Sequence, residues 1–337
     1  MIRISKPEIN IREKLGEVRL ESGHAGRRIL ASETVEDQFA VSGMGRKNII
    51  DNGAMEIAQR GATSTSDNTV GSVDRWFKYA SGDTASYGQG YQDTTVGKHL
   101  YFSTNASGYG NIRQRLEGLF VPLGGLDVTL SFLMRVDHGT APLRIESWNL
   151  TDNTQIYSNV YEEVITSDWK KYVISFRLNA DDSMDNWHIM LGSNNAPANT
   201  KFRLTQVQLE KGGVATPFEY RPIHEELHRC MRFYESLATY GENDANRYNG
   251  VAWATNNLNV FIPFRVTKSS NPTVSITNNG EVFTGTWQNA DGHAVTGTGV
   301  RGCTISIQKA SAYTVKYGYF IRNQTMSASI GTGSGAW

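Results

Sequence analysis

The chain has 337 residues, enough for two domains that each bury a core, and its 33 Lys and Arg balance 33 Asp and Glu. Zero formal net charge argues against a bulk electrostatic footprint for nucleic acid or an anionic membrane, so a partner is expected to be recognised by shape and polar contacts. Cys230 and Cys303 stand far apart and outside any CxxC or Cys/His spacing, which argues against a disulfide framework and a structural zinc site. No run approaches the roughly 20 apolar residues of a membrane span. The opening MIRISKPEINIREK lacks the apolar stretch and cleavage site of a secretory signal, so the product is expected to stay in the cytoplasm of the cell that makes it.

In chain order, residues 1–45 are the most charged. Their apolar anchors, Ile9, Ile11, Leu15, Val18 and Leu20, mix helical and extended spacing and are too few to bury a core. An arm that becomes ordered against a partner is predicted, ending where Ser42-Gly43-Met44-Gly45 would break a helix. Residues 46–221 read as strands. Val128, Leu130, Phe132 and Met134 alternate with Thr129, Ser131, Leu133 and Arg135, and Tyr172, Ile174 and Phe176 alternate with Val173, Ser175 and Arg177. Asn52-Gly53 and Asn194-Asn195 supply turns, and no room is left for the crossover helices of a parallel sheet, so an antiparallel sandwich is expected.

Residues 222–238 hold one helix, HEELHRCMRFYES, with Pro222 before it, Glu225 and Glu226 in its first turn, and a stripe of Leu227, Cys230, Met231 and Tyr234. It is predicted to act as a short hinge packing through that stripe. Strands return over residues 239–337 in NVFIPFRV, PTVSIT, CTISIQK and YTVKYGYFIR, predicting a second, smaller β domain that ends in a flexible Gly-Thr-Gly-Ser-Gly tail before Trp337. The fold class expected is therefore all-β.

Aromatic residues gather in RWFKYASGDTASYGQGYQDTTVGKHLYF, over residues 75–102. Rings of this kind stack on pyranose faces while Asp, Asn and Gln bond to hydroxyls. Tyr87 and Tyr91, in a Gly-rich loop, are the candidates for exposed rings, whereas Trp76 and Phe77 serve equally well as core and edge residues of one strand. In the second β domain Trp253, Trp287 and Tyr313 lie near turn-rich segments and compete as a binding location, each open to a core reading as well. Asp181, Asp182 and Asp185, and likewise Asp67 and Asp74, lack calcium-loop spacing and read as solvated turns. His224 and His228 are i, i+4 on the helix, but two ligands do not make a metal site. Neither a nucleophile elbow nor a phosphate-binding GxxxxGK[ST] loop is present, and no metal or cofactor is expected.

NIIDNGAMEIAQRG (residues 48–61), LSFLMRVD (130–137) and VQLEKGGVATPFEYRPIHEEL (207–227), followed by Cys230, Arg232 and Tyr234, resemble a pattern of tailed-phage tail-fibre and minor virion proteins, and KPEINIREKLGEV resembles an opening of marine podovirus structural proteins. The resemblance implies a non-enzymatic, fibre-type virion subunit assembled in the host cytoplasm, a homotrimer that attaches to other virion proteins through Ile9, Ile11, Leu15 and Val18. Its β domains would meet a host surface glycan or receptor, without nucleic-acid binding or membrane insertion. A capsid-attached fibre or decoration protein stays open, as does a polysaccharide depolymerase, although the long repeats of a β-helix are missing. The middle segment is also similar to jelly-roll carbohydrate-binding modules. Their structural calcium uses an opening Glu and a closing-strand Asp, and here Glu56 follows Asn52-Gly53 while Gln206 stands at the Asp position, so the fold is implied and calcium is expected to be dispensable.

Overall fold

Alternation of apolar and polar residues produces strands that are buried on one side, and two such sheets form the first unit. In the computed structural model the described residues are 47–61, 63–64, 72–79, 87–106, 108–116, 125–149, 154–178, 187–193, 195–237, 248–276, 280–310, 313–315, 317–322 and 326–329. The expected arm with Ile9, Ile11, Leu15 and Val18, the Asp181–Asp185 cluster, Asp67, Asn194 and the glycine-rich tail lie outside them.

One sheet has the order β1 (Thr63–Ser64), β3 (Tyr87–Asp93), β4 (Gly97–Ser103), β11 (Lys201–Lys211), β6 (Asp127–Val136) and β9 (Lys170–Arg177). The other has the order β2 (Trp76–Tyr79), β5 (Gly110–Arg115), β10 (Trp187–Ser193), β7 (Ala141–Asn149) and β8 (Thr154–Ile165). All strand pairings within these two sheets and within the second unit are antiparallel among the described residues. Phe102, Phe132, Tyr172 and Phe202 from the first sheet share one core with Trp76, Ile112, Trp187 and Leu191 from the second, each such side chain contributing about 1.5–3 kcal/mol by burial. These curled antiparallel sheets are the jelly-roll sandwich expected of an all-β chain.

The opening segment locks onto the closing strand. Asn48 accepts from the backbone N–H groups of Ile50 and Leu209 and donates to the Val207 carbonyl. Gly53 lies so close to the Val207 carbonyl that no Cβ would fit, and β11 bulges between Thr205 and Gln208, with Gln206 at φ 53°. Asn52, also left-handed at φ 53°, donates to the Ile57 and Asp74 carbonyls, and its own carbonyl receives the Trp76 indole N–H. Asp74 is not in a solvated turn: it is buried, accepts from the Gln59 amide at 2.5 Å and pairs with Arg60 at 3.6 Å.

The helix α1 (Ile223–Met231) starts directly after Pro222, as its sequence signals require. Its buried side is Glu226, Cys230 and Met231, with Leu227 half-buried. Tyr234 has left the helix for β12 (Tyr234–Ser236), where the Arg60 guanidinium lies 3.6 Å over its ring. The helix is pinned at the sandwich more firmly than a hinge would be. Arg229 donates to Asp51 at 2.6 Å, Glu226 accepts from the Asn52 N–H at 2.5 Å, and Arg75 bridges Asp51 at 3.1 Å and the Phe233 ring at 3.4 Å. Cys230 is a free thiol, and burial pushes its pKa well up.

The second core gathers Leu237, Leu258, Val260, Ile262, Ile305 and Ile307, among others. Its larger sheet has seven strands, β17 (Trp287–Asn289), β16 (Glu281–Phe283), β20 (Gly318–Arg322), β13 (Tyr248–Ala254), β14 (Asn257–Pro263), β19 (Gly302–Gln308) and β18 (Gly292–Gly299), in that order. The smaller has β12, β21 (Met326–Ser329) and β15 (Thr273–Ile276). The expected YTVKYGYFIR strand begins only at Gly318; Tyr313 lies before it, buried and edge-on to Tyr319 at 5.0 Å. Lys268, buried at the junction, donates to the Met231 carbonyl at 2.7 Å and to Glu235 at 2.5 Å, tying this unit back to the end of the helix.

Candidate functional site

The outer face of the six-stranded sheet gathers aromatic, cationic and acidic side chains that are distant in sequence. In β4, Leu100 and Phe102 point into the core, so His99 and Tyr101 point out. In β11, Phe202 and Leu204 are core residues and Arg203 points out between them; in β6, Met134 and Val136 are core residues and Arg135 points out. The register then aligns a row across four strands. Gly88 pairs with Tyr101, Tyr101 with Arg203 and Arg203 with Arg135. Trp169 lies just before β9, whose Lys170 pairs with Met134, and so ends the row beside Arg135.

Side-chain contacts fix this row. Arg203 forms a two-pronged contact with Asp137, at 2.5 and 3.1 Å, and points its third nitrogen at His99 Nε2 at 2.7 Å. A guanidinium only donates, so His99 Nε2 is the acceptor and the ring is neutral, its Nδ1 facing the Gly97 carbonyl at 3.5 Å. The His99 ring stands edge-on to Trp169, with centroids 5.8 Å apart. Trp169 donates its indole N–H to Asp93 at 2.9 Å and lies 5.6 Å from the Arg135 guanidinium, which donates to the Ser167 carbonyl at 3.2 Å. The Lys201 ammonium lies 4.8 Å over Tyr101 at the other end of the row. Gly90 in β3 pairs with His99, and a Cβ there would run into the imidazole, so a glycine is what lets the ring lie where it does.

Protonation follows from these contacts. Burial would raise the Asp137 carboxyl, but the hydrogen bonds and charge of Arg203 outweigh it and hold the group below the usual carboxylate value. The Trp169 indole N–H and the Thr95 N–H hold Asp93 down likewise. Burial pushes His99 below the ordinary value of 6.5, with the Arg203 charge adding to it. Both carboxylates are therefore acceptors near neutral pH, and neither has the raised pKa of a general acid.

The rings that the sequence pointed to lie outside this row. Tyr87 is 0% exposed and belongs to strand β3, not to a loop; glycines at Gly88 and Gly90 occupy the outward positions of that strand and the tyrosine takes the inward one. Tyr91 also lies in β3, with its side chain outside the described residues. Trp76 and Phe77 are both buried. Trp253 is exposed and Trp287 half-buried on the seven-stranded sheet, well separated in sequence and topology from the row just described. Tyr101 was within the aromatic patch, but Trp169, Arg135 and Arg203 were not singled out. The signal that marks the two arginines is a cation at a position flanked on both sides by core residues. At the expected ion position, Gln206 donates to the Tyr220 hydroxyl at 2.6 Å and Glu56 pairs with Lys98 at 3.1 Å. Among the described residues no three His, Cys, Asp or Glu side chains gather as a metal would require.

No protein-family profile matches the chain, and no curated protein matches it in sequence. Solved structures similar to part of the chain include a CBM4 structure, at 17% identity and TM-score 0.36, covering 48% of this chain and 99% of that one. Another is the CBM22-1–GH10 portion of Clostridium thermocellum xylanase 10B with xylohexaose, at 11% identity and TM-score 0.37, covering 51% of this chain and 30% of that one. A cyclase from Fischerella sp. TAU is similar at 14% identity and TM-score 0.39, covering 51% of this chain and 100% of that one. At such scores the reading of the site rests on the chain's own residues.

Proposed function

We propose that the chain is a non-catalytic glycan-binding protein whose sugar site is the outer face of the six-stranded sheet, and that it serves as a fibre-type subunit of a tailed-phage virion that meets a host surface polysaccharide. The observation that carries the sugar reading is the row Tyr101, Arg203, Arg135 and Trp169. Two rings stand at the ends of a track of fixed hydrogen-bonding groups, the arrangement that matches the apolar faces and hydroxyl edges of successive pyranose units. Arg203, Asp137 and His99 hold one another in place before any ligand arrives, so little ordering cost falls on binding. Ionised, donor-held Asp93 and Asp137 suit hydroxyl recognition better than proton donation, which favours binding over a depolymerase. The virion reading rests on the sequence resemblance of residues 1–236.

Titration of the full chain with surface polysaccharides of candidate host bacteria tests the sugar reading. Saturable binding that is lost in Trp169→Ala with unchanged melting is expected, and binding indifferent to Trp169 and Tyr101 would overturn it. Removing residues 1–45 tests the virion reading: the remainder is expected to fold and to fail to join particles, and full incorporation would refute attachment through the arm.

A further inference from the structure

The five-stranded sheet turns a polar face of its own away from the core. Ile112, Ile145, Ile189 and Leu191 fill the core from this sheet, so the residues that alternate with them lie on its other side. The register lays these out in three rows. Arg115, His188 and Trp148 form the first, Arg113, Met190 and Glu146 the second, and Asn111, Gly192 and Arg144 the third. Asn111 and His188 are buried, at 1% and 2% exposure, whereas Arg113, Arg115, Arg144 and Trp148 are half-buried. Gln155 and Ser158, paired with Trp148 and Glu146, are exposed, so the face is open along β8. A Cβ at Gly192 would strike the Asn111 side-chain oxygen, so a glycine lets this amide lie across the middle strand.

Buried donors on this face have nothing to donate to. Asn111 Nδ2, Arg115 Nη1, Arg144 Nε and Trp148 Nε1 are buried nitrogens without a hydrogen-bond partner, as is His188 Nδ1. The first four can only donate. Leaving such a group buried and unsatisfied costs about 1–3 kcal/mol, so their convergence on adjacent strands needs a compensating acceptor. The acceptor on the face itself is already engaged, because Glu146 accepts from Arg144 and from Gln155 at 3.1 Å. A water molecule brings two protons of its own, and a sugar hydroxyl one. An oxyanion brings acceptors alone and a charge of the right sign, since three guanidinium groups face one carboxylate among the described side chains here. Glu162 and Glu163 of β8 stand at the bulge opposite Pro142 and Leu143, beyond Arg144 and at the far end of the face from His188. The imidazole adds no competing charge: burial first, then the charges of Arg113 and Arg115, push its pKa down to about 3.

We infer that the outer face of the five-stranded sheet is a binding site for an oxyanion, a carboxylate or a sulfate, received by Arg115, Trp148, Asn111 and Arg144. The site is separate from the row on the six-stranded sheet and stands whether or not that row binds sugar. Calorimetric titration of the full chain with a galacturonate oligomer, with inorganic sulfate and with a neutral galactose oligomer tests it. One or both anions are expected to bind and the neutral oligomer is not; uronate binding without sulfate binding assigns the oxyanion to a sugar acid, and sulfate binding assigns it to the free anion. Arg115→Gln removes a charged donor and is expected to weaken anion binding about tenfold or more. Trp148→Phe keeps the ring and deletes only the indole N–H, and is expected to weaken binding a few-fold. Both substitutions remove a buried donor that has no partner, so melting without ligand is expected to hold or rise. Absence of binding by either anion, equal affinity for the neutral oligomer, or an anion affinity unmoved by both substitutions and lowered instead by Trp169→Ala would overturn the inference.

Discussion

Two outward sheet faces of this protein are made from the same alternation and differ in what alternates with the core. On the six-stranded sheet the outward positions hold Tyr101, His99, Arg203, Arg135 and Asp137, each tied to a neighbour by a directed contact. On the seven-stranded sheet they hold the exposed apolar side chains of Phe283, Phe320, Val251 and Phe261. The polar groups of the first face are already oriented by their contacts, whereas dispersion and water release on the second need no orientation. A strand pattern thus fixes where a surface is, and the chemistry of its outward residues fixes what that surface can meet.

The sharpest way to break this contrast is to remove Arg203. Arg203→Met leaves Asp137 without its fork and His99 without its donor, and is expected to weaken polysaccharide binding by about 2 kcal/mol or more, measured by calorimetry. Next in size, Trp169→Ala and Tyr101→Ala are each expected to cost roughly 0.5–1.5 kcal/mol of sugar affinity, and Gly90→Ala a similar amount by displacing the His99 ring. Phe261→Ser is expected to leave affinity per chain within error.

Acid tests the first face in another way. The folded-state pKa of His99 is lowered, so the unfolded chain takes up the proton first, and the contribution of neutral His99 to stability is lost as pH falls below about 6.5. Arg203 of β11, Asp93 of β3 and Arg135 of β6 are the charged groups facing the ring, and protonation would set an N–H against the Arg203 guanidinium. Sugar affinity is therefore expected to hold from pH 8 down to the ordinary imidazole value of 6.5 and to decline only at lower pH; an acid decline that persists unchanged in His99→Gln would remove His99 from the site. The smallest effect expected is that of salt. Raising NaCl from about 0.1 to 1 M shortens the Debye length from ~10 to ~3 Å, which should weaken sugar binding a few-fold.

Much of the fold was legible because it depends on local pattern. Period-two runs in LSFLMRV and KKYVISFR, the glycine and asparagine turns and the Pro222 start of the helix determined by themselves that the chain is all-β and antiparallel, with one short helix. The candidate site was not legible, because it depends on which strands lie side by side. Alternation says that Tyr87 and Gln89 share a face, but the pairing of Tyr87 with Phe102 decides that this face is the core. Arg135 and Arg203 become neighbours only through the register of β6 with β11, and Trp169 meets Asp93 across 76 residues of chain. Tyr234 continued the helical stripe in sequence, yet its pairing with Ser329 draws it into a strand. Periodicity is a property of neighbouring residues, whereas the choice of face and partner is set by non-local pairing and by which side two sheets bury together, and that the tertiary structure alone decides.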